Sequence, residues 1–302
     1  MTVRLGINPI GWTNDCMRWL GDLIPLDLCL TEARAAGFTG VELGRKFPRR
    51  AEELGPILER HGLELVSGWY SARLIERDAK SEIAAMADHL ALLKDLGCKV
   101  MVFAETGGEI VNAVGAPASS RPRIGGDAAW MDFARRLDAI ADHLDRQGLR
   151  LAYHHHMGTV IETAEEIDRL MEETGEGVGL LLDTGHLTFA GGDPAALARR
   201  HRKRIVHVHC KDVRRYALES CRRLDASFSE AVLAGIFTAP GDGIVDFAGV
   251  LAALKGGGYR GWLVQEAEQD PSRAHPYSYA ALGHAELSRL AVEAGLAIQR
   301  AG

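Results

Sequence analysis

Short apolar runs alternate with longer segments of helical spacing along the whole chain, and this alternation restricts the fold more than any other feature. The apolar runs, which we interpret as strands, lie at residues 3–10, 40–44, 63–70, 99–105, 149–153, 178–183, 204–210 and 261–266. The helical segments lie at residues 25–36, 51–61, 80–96, 127–147, 163–174, from 193 onward, 246–255 and 277–298. A strand followed by a crossover helix pairs in parallel with another strand. Eight such units in 302 residues predict an α/β fold, a (β/α)8 TIM barrel.

Local signals support several of these boundaries. Gly62 follows the last helical position of one segment, where glycine commonly ends a helix. Thr163 is followed three residues later by Glu166, which is the pattern of a capping box. Asp193 precedes Pro194, as expected for an N-cap and the first position of a helix.

The chain shows no change of composition that would divide it, so we interpret residues 1–302 as a single catalytic domain. The competing architecture is an open doubly wound sheet, in which a GxGxxG motif often follows the first strand. Residues 6–11 read GINPIG, which has a different spacing and contains a proline. Residues 106–126 and 211–243 are expected to be long loops.

Composition limits the class of protein. The net charge of −6 argues against non-specific nucleic-acid binding, which needs a basic surface. Five scattered cysteines without a CxxC pair are typical of a reducing compartment. The first residues lack the apolar core of a signal peptide, and no apolar run approaches the roughly 20 residues of a membrane helix. We therefore expect a cytoplasmic protein without a membrane or nucleic-acid partner.

Three consecutive histidines follow the fifth strand. Because side chains alternate along a strand, His154 and His156 are expected on one side and His155 on the other. Two imidazoles on one side form half of a site for a divalent metal. The alternative is a polar strand end that meets solvent.

The next three strands also end in ligand-type residues. Asp183 ends the sixth strand, His209 lies at the end of the seventh and Glu266 at the end of the eighth. Their alternative roles are a helix N-cap, a core histidine and an exposed acid, respectively. Functional residues of such barrels gather at these strand ends. A set of imidazoles and carboxylates suits Mn²⁺, Co²⁺, Zn²⁺ or Fe²⁺ better than Ca²⁺.

These strand ends resemble the xylose-isomerase-like barrel superfamily of sugar isomerases, epimerases and dehydratases. Its members bind a divalent metal through a Glu, an Asp, a His and a Glu on strands five to eight. Asp183, His209 and Glu266 match three of these positions, whereas a histidine stands near the place of the first Glu. We assign His156 to the metal and His154 to catalysis, and the reverse assignment stays open.

Longer stretches resemble one branch of this superfamily, the inosose dehydratases. The stretches lie at residues 6–15, 40–48, 65–71, 153–159, 182–194, 207–214 and 266–271. The resemblance implies a hydro-lyase that removes water from 2-keto-myo-inositol, a cyclic keto-polyol, and gives a diketone in myo-inositol catabolism. It also implies a divalent metal, Mn²⁺ or Co²⁺, that polarises the ketone. A homo-oligomer is a further expectation.

Other strand-end residues are candidates for catalysis and for substrate binding. We expect the general acid and the general base to be among Glu105, His154, His186 and Lys211. The alternative role for Glu105 is a salt bridge to Lys46 or Arg45. The expected substrate contacts are Asn8, Trp12, Lys46, Trp69 and Arg214. Core packing is the alternative for the tryptophans, and a solvated surface is the alternative for the lysine and the arginine.

Two other functions stay open at this point. A keto-sugar isomerase or epimerase of the same superfamily would also remove a proton beside a metal-bound carbonyl, without losing water. A sugar-binding protein without catalysis would bind the keto-polyol and leave it unchanged.

Overall fold

Eight parallel strands close into a barrel in this computed structural model, which describes residues 1–111 and 113–299. The barrel strands are β1 (Thr2–Ile7), β2 (Gly40–Leu43), β3 (Glu64–Ala72), β4 (Val100–Glu105), β5 (Arg150–His154), β6 (Val178–Asp183), β7 (Ile205–Cys210) and β10 (Trp262–Gln265). Each pairs with its neighbour in chain order, and β10 closes the ring by pairing with β1, with Arg4 opposite Trp262. The predicted TIM barrel is therefore confirmed.

Helices surround the barrel and connect its strands. They are α1 (Leu26–Ala35), α2 (Ala51–His61), α3 (Ala79–Ala85), α4 (Ala87–Asp95), α5 (Gly126–Arg146), α6 (Ala164–Glu173), α7 (Thr184–Phe189), α8 (Pro194–His201), α9 (Arg215–Leu224), α10 (Phe228–Leu233), α11 (Phe247–Gly257) and α12 (Pro276–Glu293). The capping box at Thr163 and the N-cap at Asp193 are present as predicted. Among the described residues, no helix is both long enough and apolar enough to cross a membrane.

Some predicted boundaries were wrong. The helix expected at residues 80–96 is divided at Met86 into α3 and α4. The sequence did not reveal this break because the apolar spacing continues through Met86, which is buried. The first strand ends at Ile7, since the Asn8 side chain caps a short 3-10 turn at Pro9–Gly11. The last helix ends at Glu293, and β11 (Ala297–Ile298) then pairs with β1.

The segment 211–243 was expected to be a loop, but it is largely regular. The strands β8 (Asp212–Val213) and β9 (Phe237–Thr238) pair in antiparallel fashion, with α9 and α10 between them. Apolar residues of both helices form a second small core with β8 and β9. Charged side chains on the exposed side of α9 hid its helical pattern in the sequence. This segment, which we call the β7–β10 excursion, covers the carboxyl ends of the barrel strands.

The amino-terminal end of the barrel is filled by Trp262, Val66 and Val264, which form a separate apolar cluster. Gly6 of β1 and Gly40 of β2 make room for these side chains. A Cβ at Gly40 would lie 2.5 Å from Val66 Cγ2 and 2.6 Å from Trp262 Cη2. The guanidinium of Arg4 stacks on the indole at 4.0 Å and leaves the ring little room to move.

We predict that Gly40→Ala lowers the free energy of unfolding by about 1–3 kcal/mol, because the added methyl group overpacks the barrel interior. Urea denaturation monitored by circular dichroism measures this change. Gly256→Ala is the matched control, since its Cβ would meet nothing within 4 Å outside its chain neighbours and its own helix. Gly256 lies inside α11, so this substitution should raise stability by about 0.5–1 kcal/mol. Equal effects of the two substitutions would contradict the packing argument.

Candidate metal centre and active site

Four buried side chains converge at the carboxyl ends of β5, β6, β7 and β10. They are His154, Asp183, His209 and Glu266, and the ligand atom that each can offer lies within 4.8 Å of the others. The Nδ1 atom of His209 lies 3.2 Å from Nε2 of His154, 3.5 Å from Oδ2 of Asp183 and 2.8 Å from Oε2 of Glu266. Two imidazoles and two carboxylates thus face one point.

Asp183 combines two roles because its two oxygens face different ways. Its Oδ1 atom accepts hydrogen bonds from the backbone N–H groups of Gly185 and His186, and so caps α7. Its Oδ2 atom faces the converging imidazoles and accepts no hydrogen bond from the described residues. The helix cap that we considered as the alternative role is therefore present, and it leaves one oxygen available as a ligand.

This donor set fits a divalent cation. Burial alone would raise the pKa of Asp183, but the Lys211 ammonium and the neighbouring imidazoles hold that pKa well below its usual range. Oε2 of Glu266 also accepts no hydrogen bond of good geometry, although Lys211 Nζ lies 3.0 Å away. Buried carboxylate oxygens are normally paired or bound to metal. A cation held by two nitrogens and two oxygens would satisfy both oxygens.

The structure favours the reverse of our assignment for the strand-five histidines. His154 is the last residue of β5 and belongs to the four converging side chains. His156 lies two residues further, where the chain has left the strand, and its ring packs against His186 at 3.7 Å between ring centroids. Nδ1 of His156 lies 2.7 Å from the carbonyl oxygen of Met157. Because that oxygen can only accept, Nδ1 carries the proton and Nε2 has a free lone pair.

A second group lies beside the first and contains His156, His186 and Glu268. The ammonium of Lys211 donates to Nε2 of His186 at 2.9 Å and to Oε1 of Glu268 at 2.8 Å. Burial raises the pKa of Glu268 to about 7, although Lys211 opposes the rise. Burial also holds the pKa of His156 and of His186 well below the usual range, so both imidazoles are neutral at pH 7. We had not assigned a role to Glu268.

Glu42 and His207 lie behind His209, one of the four converging side chains. Oε1 of Glu42 lies 3.2 Å from Nε2 of His209 and 2.8 Å from Nε2 of His207. Such a carboxylate fixes the orientation and the tautomer of a metal-binding histidine. Asn8 Nδ2 donates to the other oxygen of Glu42 at 2.7 Å. The sequence did carry a signal for Glu42, because it is a carboxylate in the buried strand GVEL.

A cavity of about 230 Å³ opens above both groups. His154, His156, Glu266 and Glu268 line one side of it. The aromatic rings of Trp69 and Phe228 also line it, and the indole meets His154 edge-on at 5.0 Å between ring centroids. Asn8 and Ser71 add polar groups. Among the predicted substrate contacts, Asn8 and Trp69 therefore lie at the cavity.

The other predicted substrate contacts serve the fold. Trp12 is buried in the main core, and its Nε1 donates to Glu32. Lys46 Nζ donates to the carbonyl oxygens of Asp22 and Ile24, so it holds the loop after β1. Arg214 donates to Asp242 and to Thr238 within the β7–β10 excursion. None of the three lines the cavity.

Glu105 and Lys211 also differ from our expectation. On β4, Val100 and Val102 face the barrel interior, so Glu105 lies on the opposite, outer face. Its carboxylate accepts hydrogen bonds from the backbone N–H groups of Leu74 and Gly107, and burial raises its pKa to about 7. The salt bridge to Lys46 or Arg45, which we considered as its alternative role, is absent among the described ion pairs. Lys211 and His186 are fully buried behind the cavity wall.

Most of the chain is similar in sequence to known proteins with this fold. Residues 30–287 match the family model of the xylose isomerase-like TIM barrel. The chain is 52% identical to the rhizopine catabolism protein MocC of Rhizobium meliloti, over all of this chain and 92% of that protein. It is 44% identical to an inosose dehydratase of Geobacillus thermodenitrificans, over 92% of this chain and 94% of that protein.

Solved structures show the same fold at low sequence identity. The structure of a probable 3-DHS dehydratase, AsbF of Bacillus anthracis, aligns with a TM-score of 0.69. The alignment covers 95% of this chain and 99% of that chain, at 14% identity.

We predict that Glu105→Gln lowers the free energy of unfolding by about 1–3 kcal/mol, because the amide loses one of two backbone hydrogen bonds in a buried place. Urea denaturation measures the loss. After dialysis against Mn²⁺, the variant should hold as much of the ion as the wild type, since Glu105 lies outside both groups. Glu64→Gln is the matched control and should change stability by about 1 kcal/mol or less, because its salt bridge to Arg4 is largely exposed. Lower Mn²⁺ content in the Glu105 variant would show that this carboxylate serves the site.

Proposed function

Because the chain belongs to the xylose isomerase-like TIM-barrel family, we propose that it is a hydro-lyase of inositol catabolism that removes water from 2-keto-myo-inositol. Relatives named inosose dehydratase match most of the chain and support this reaction. The structural observation that carries the proposal is the convergence of four buried donor side chains beside the cavity. Another two buried side chains that can exchange protons, His156 and Glu268, line the same cavity.

His154, Asp183, His209 and Glu266 would hold one divalent metal, which we propose to be Mn²⁺ or Co²⁺. Mixed imidazole and carboxylate ligands suit these ions. When bound there, the ion would polarise the substrate ketone and so make the neighbouring C–H more acidic. Glu42 would orient His209 through its hydrogen bond to Nε2.

His156 is the proposed base. Its Nδ1–H group donates to the Met157 carbonyl, so the free lone pair of Nε2 is available to take the proton beside the ketone. The ring also borders the cavity and packs edge-on against Trp69. His186 also packs against this ring, at 3.7 Å between ring centroids, and restricts its orientation.

Glu268 is the proposed acid. Lys211 holds its Oε1 atom, while Oε2 accepts no hydrogen bond from the described residues. Because burial raises the pKa of Glu268 to about 7, this oxygen can carry a proton near neutral pH and give it to the departing hydroxyl group. The proton from carbon goes to His156, the hydroxyl leaves as water with the proton from Glu268, and the resulting enol becomes the diketone. Lys211 is thus a positioning residue in this proposal.

The walls of the cavity suit a small polyhydroxy ring. Trp69 and Phe228 offer apolar faces to its C–H groups, while Asn8 and Ser71 offer hydrogen bonds to its hydroxyl groups. Acidic side chains at the cavity, including Asp15 and Glu266, would repel a nucleic-acid backbone. A cytoplasmic location fits the five free cysteines. A homo-oligomer stays a prediction.

Turnover of 2-keto-myo-inositol by chelator-stripped protein, before and after addition of Mn²⁺ or Co²⁺, tests the proposed function. Diketone and water should form only with metal, as followed by ultraviolet absorbance and mass spectrometry. Consumption of substrate without loss of water would replace the proposal with an isomerase or epimerase. Binding without any turnover would replace it with a sugar-binding protein.

Two histidine variants separate the metal role from the base role. His154→Ala should weaken Mn²⁺ binding at least about 100-fold, because a direct ligand matters at least as much as its supporting groups. His156→Ala should keep the affinity for Mn²⁺ and lose turnover by about 10²–10⁴-fold, which is the usual contribution of a general base. Competition with a chelator measures affinity, and steady-state kinetics measures turnover. The opposite pattern would return His156 to the metal.

A further inference from the structure

We propose that the ammonium of Lys211 takes the place of a second cation in this site, so that the protein binds one divalent ion where its side chains could hold two. This inference rests on the proposed metal centre and extends it. It concerns the second group, His156, His186 and Glu268, whose ligand atoms lie within 4.8 Å of one another.

The ammonium nitrogen of Lys211 lies between donor atoms of this group, where a bound metal ion would lie. It lies 2.9 Å from Nε2 of His186 and 2.8 Å from Oε1 of Glu268. An imidazole nitrogen and a carboxylate oxygen are the donors that a divalent metal would also use. A metal ion bound to these atoms would overlap the ammonium, so the two cannot be present together.

The same ammonium reaches the first group. It lies 3.0 Å from Oε2 of Glu266 and 3.5 Å from Oδ2 of Asp183. Three buried carboxylates therefore face Lys211. A divalent ion bound in the second group would lie beside this ammonium and be repelled by it, so the lysine favours a single ion.

The fold fixes this lysine from several directions. A Cβ at Gly185 would lie 2.4 Å from Lys211 Cγ, so the absence of a side chain there makes room for the lysine stem. The Thr184 hydroxyl group donates to the Lys211 carbonyl and accepts from its N–H. The ring of Phe237 lies 4.9 Å from Nζ. Lys211 is 0% exposed, so the ammonium has no path to solvent in this conformation.

Metal content tests the inference without any use of activity. Chelator-stripped wild-type protein and the Lys211→Ala variant are dialysed against Mn²⁺, and bound manganese is measured by mass spectrometry. We expect one ion in the wild type and two in the variant, a twofold rise. Lys211→Gln keeps more of the stem, has no charge and should also bind two, which covers the case in which the alanine variant does not fold. Circular dichroism checks the fold of each protein.

The double variant Lys211→Ala, Glu268→Gln is the matched control. It lacks one donor of the second group and should return to one ion. Equal manganese content in wild type and both single variants, or two ions in the wild type, would overturn the inference.

The two proposals fail in different ways. A wild type without manganese and a variant with one ion would support the role of Lys211 and reject the metal centre of the proposed function. One ion in wild type and in both single variants would keep the metal centre and reject the role of Lys211.

Discussion

The structure of this site depends on the neutralisation of buried carboxylates by nearby cationic groups. Asp183, Glu266 and Glu268 are all buried at one end of the barrel. Lys211 contacts all three within 3.5 Å and is itself inaccessible to solvent. Charges in such a place persist only when they are paired. The lysine and the imidazoles therefore allow the barrel to keep acidic side chains where substrate and metal would meet.

The barrel brings these groups together because its parallel strands all end at the same face. Neighbouring strands β5, β6 and β7 and the end of β10 each provide one of the four converging side chains. Asp183 begins α7 as well, so one residue links the start of a helix to the site. Glu42 reaches His209 from β2, on another side of the barrel. This contact is possible because the barrel interior is narrow.

The β7–β10 excursion shows how a fold of this kind acquires a specific cavity. Its helix α10 provides Phe228, which faces the site from above. Arg214, which we had expected at the substrate, holds the excursion together through Asp242 and Thr238. Loops of a TIM barrel can change in this way while the strands stay constant, because the barrel core does not depend on them.

The sequence by itself determined the eight strand–helix units, the capping boundaries and the strand ends that carry Asp183, His209 and Glu266, because periodicity and local capping are properties of neighbouring residues. Only the tertiary structure decided that His154, and not His156, converges with Asp183, His209 and Glu266. His156 lies after the end of β5, where the alternation of side chains along a strand no longer applies. The tertiary structure also decided the place of Glu105, which lies on the outer face of β4, and of Lys46, which binds carbonyl groups of a loop. Such roles depend on contacts between residues distant in the chain, and no local pattern encodes them.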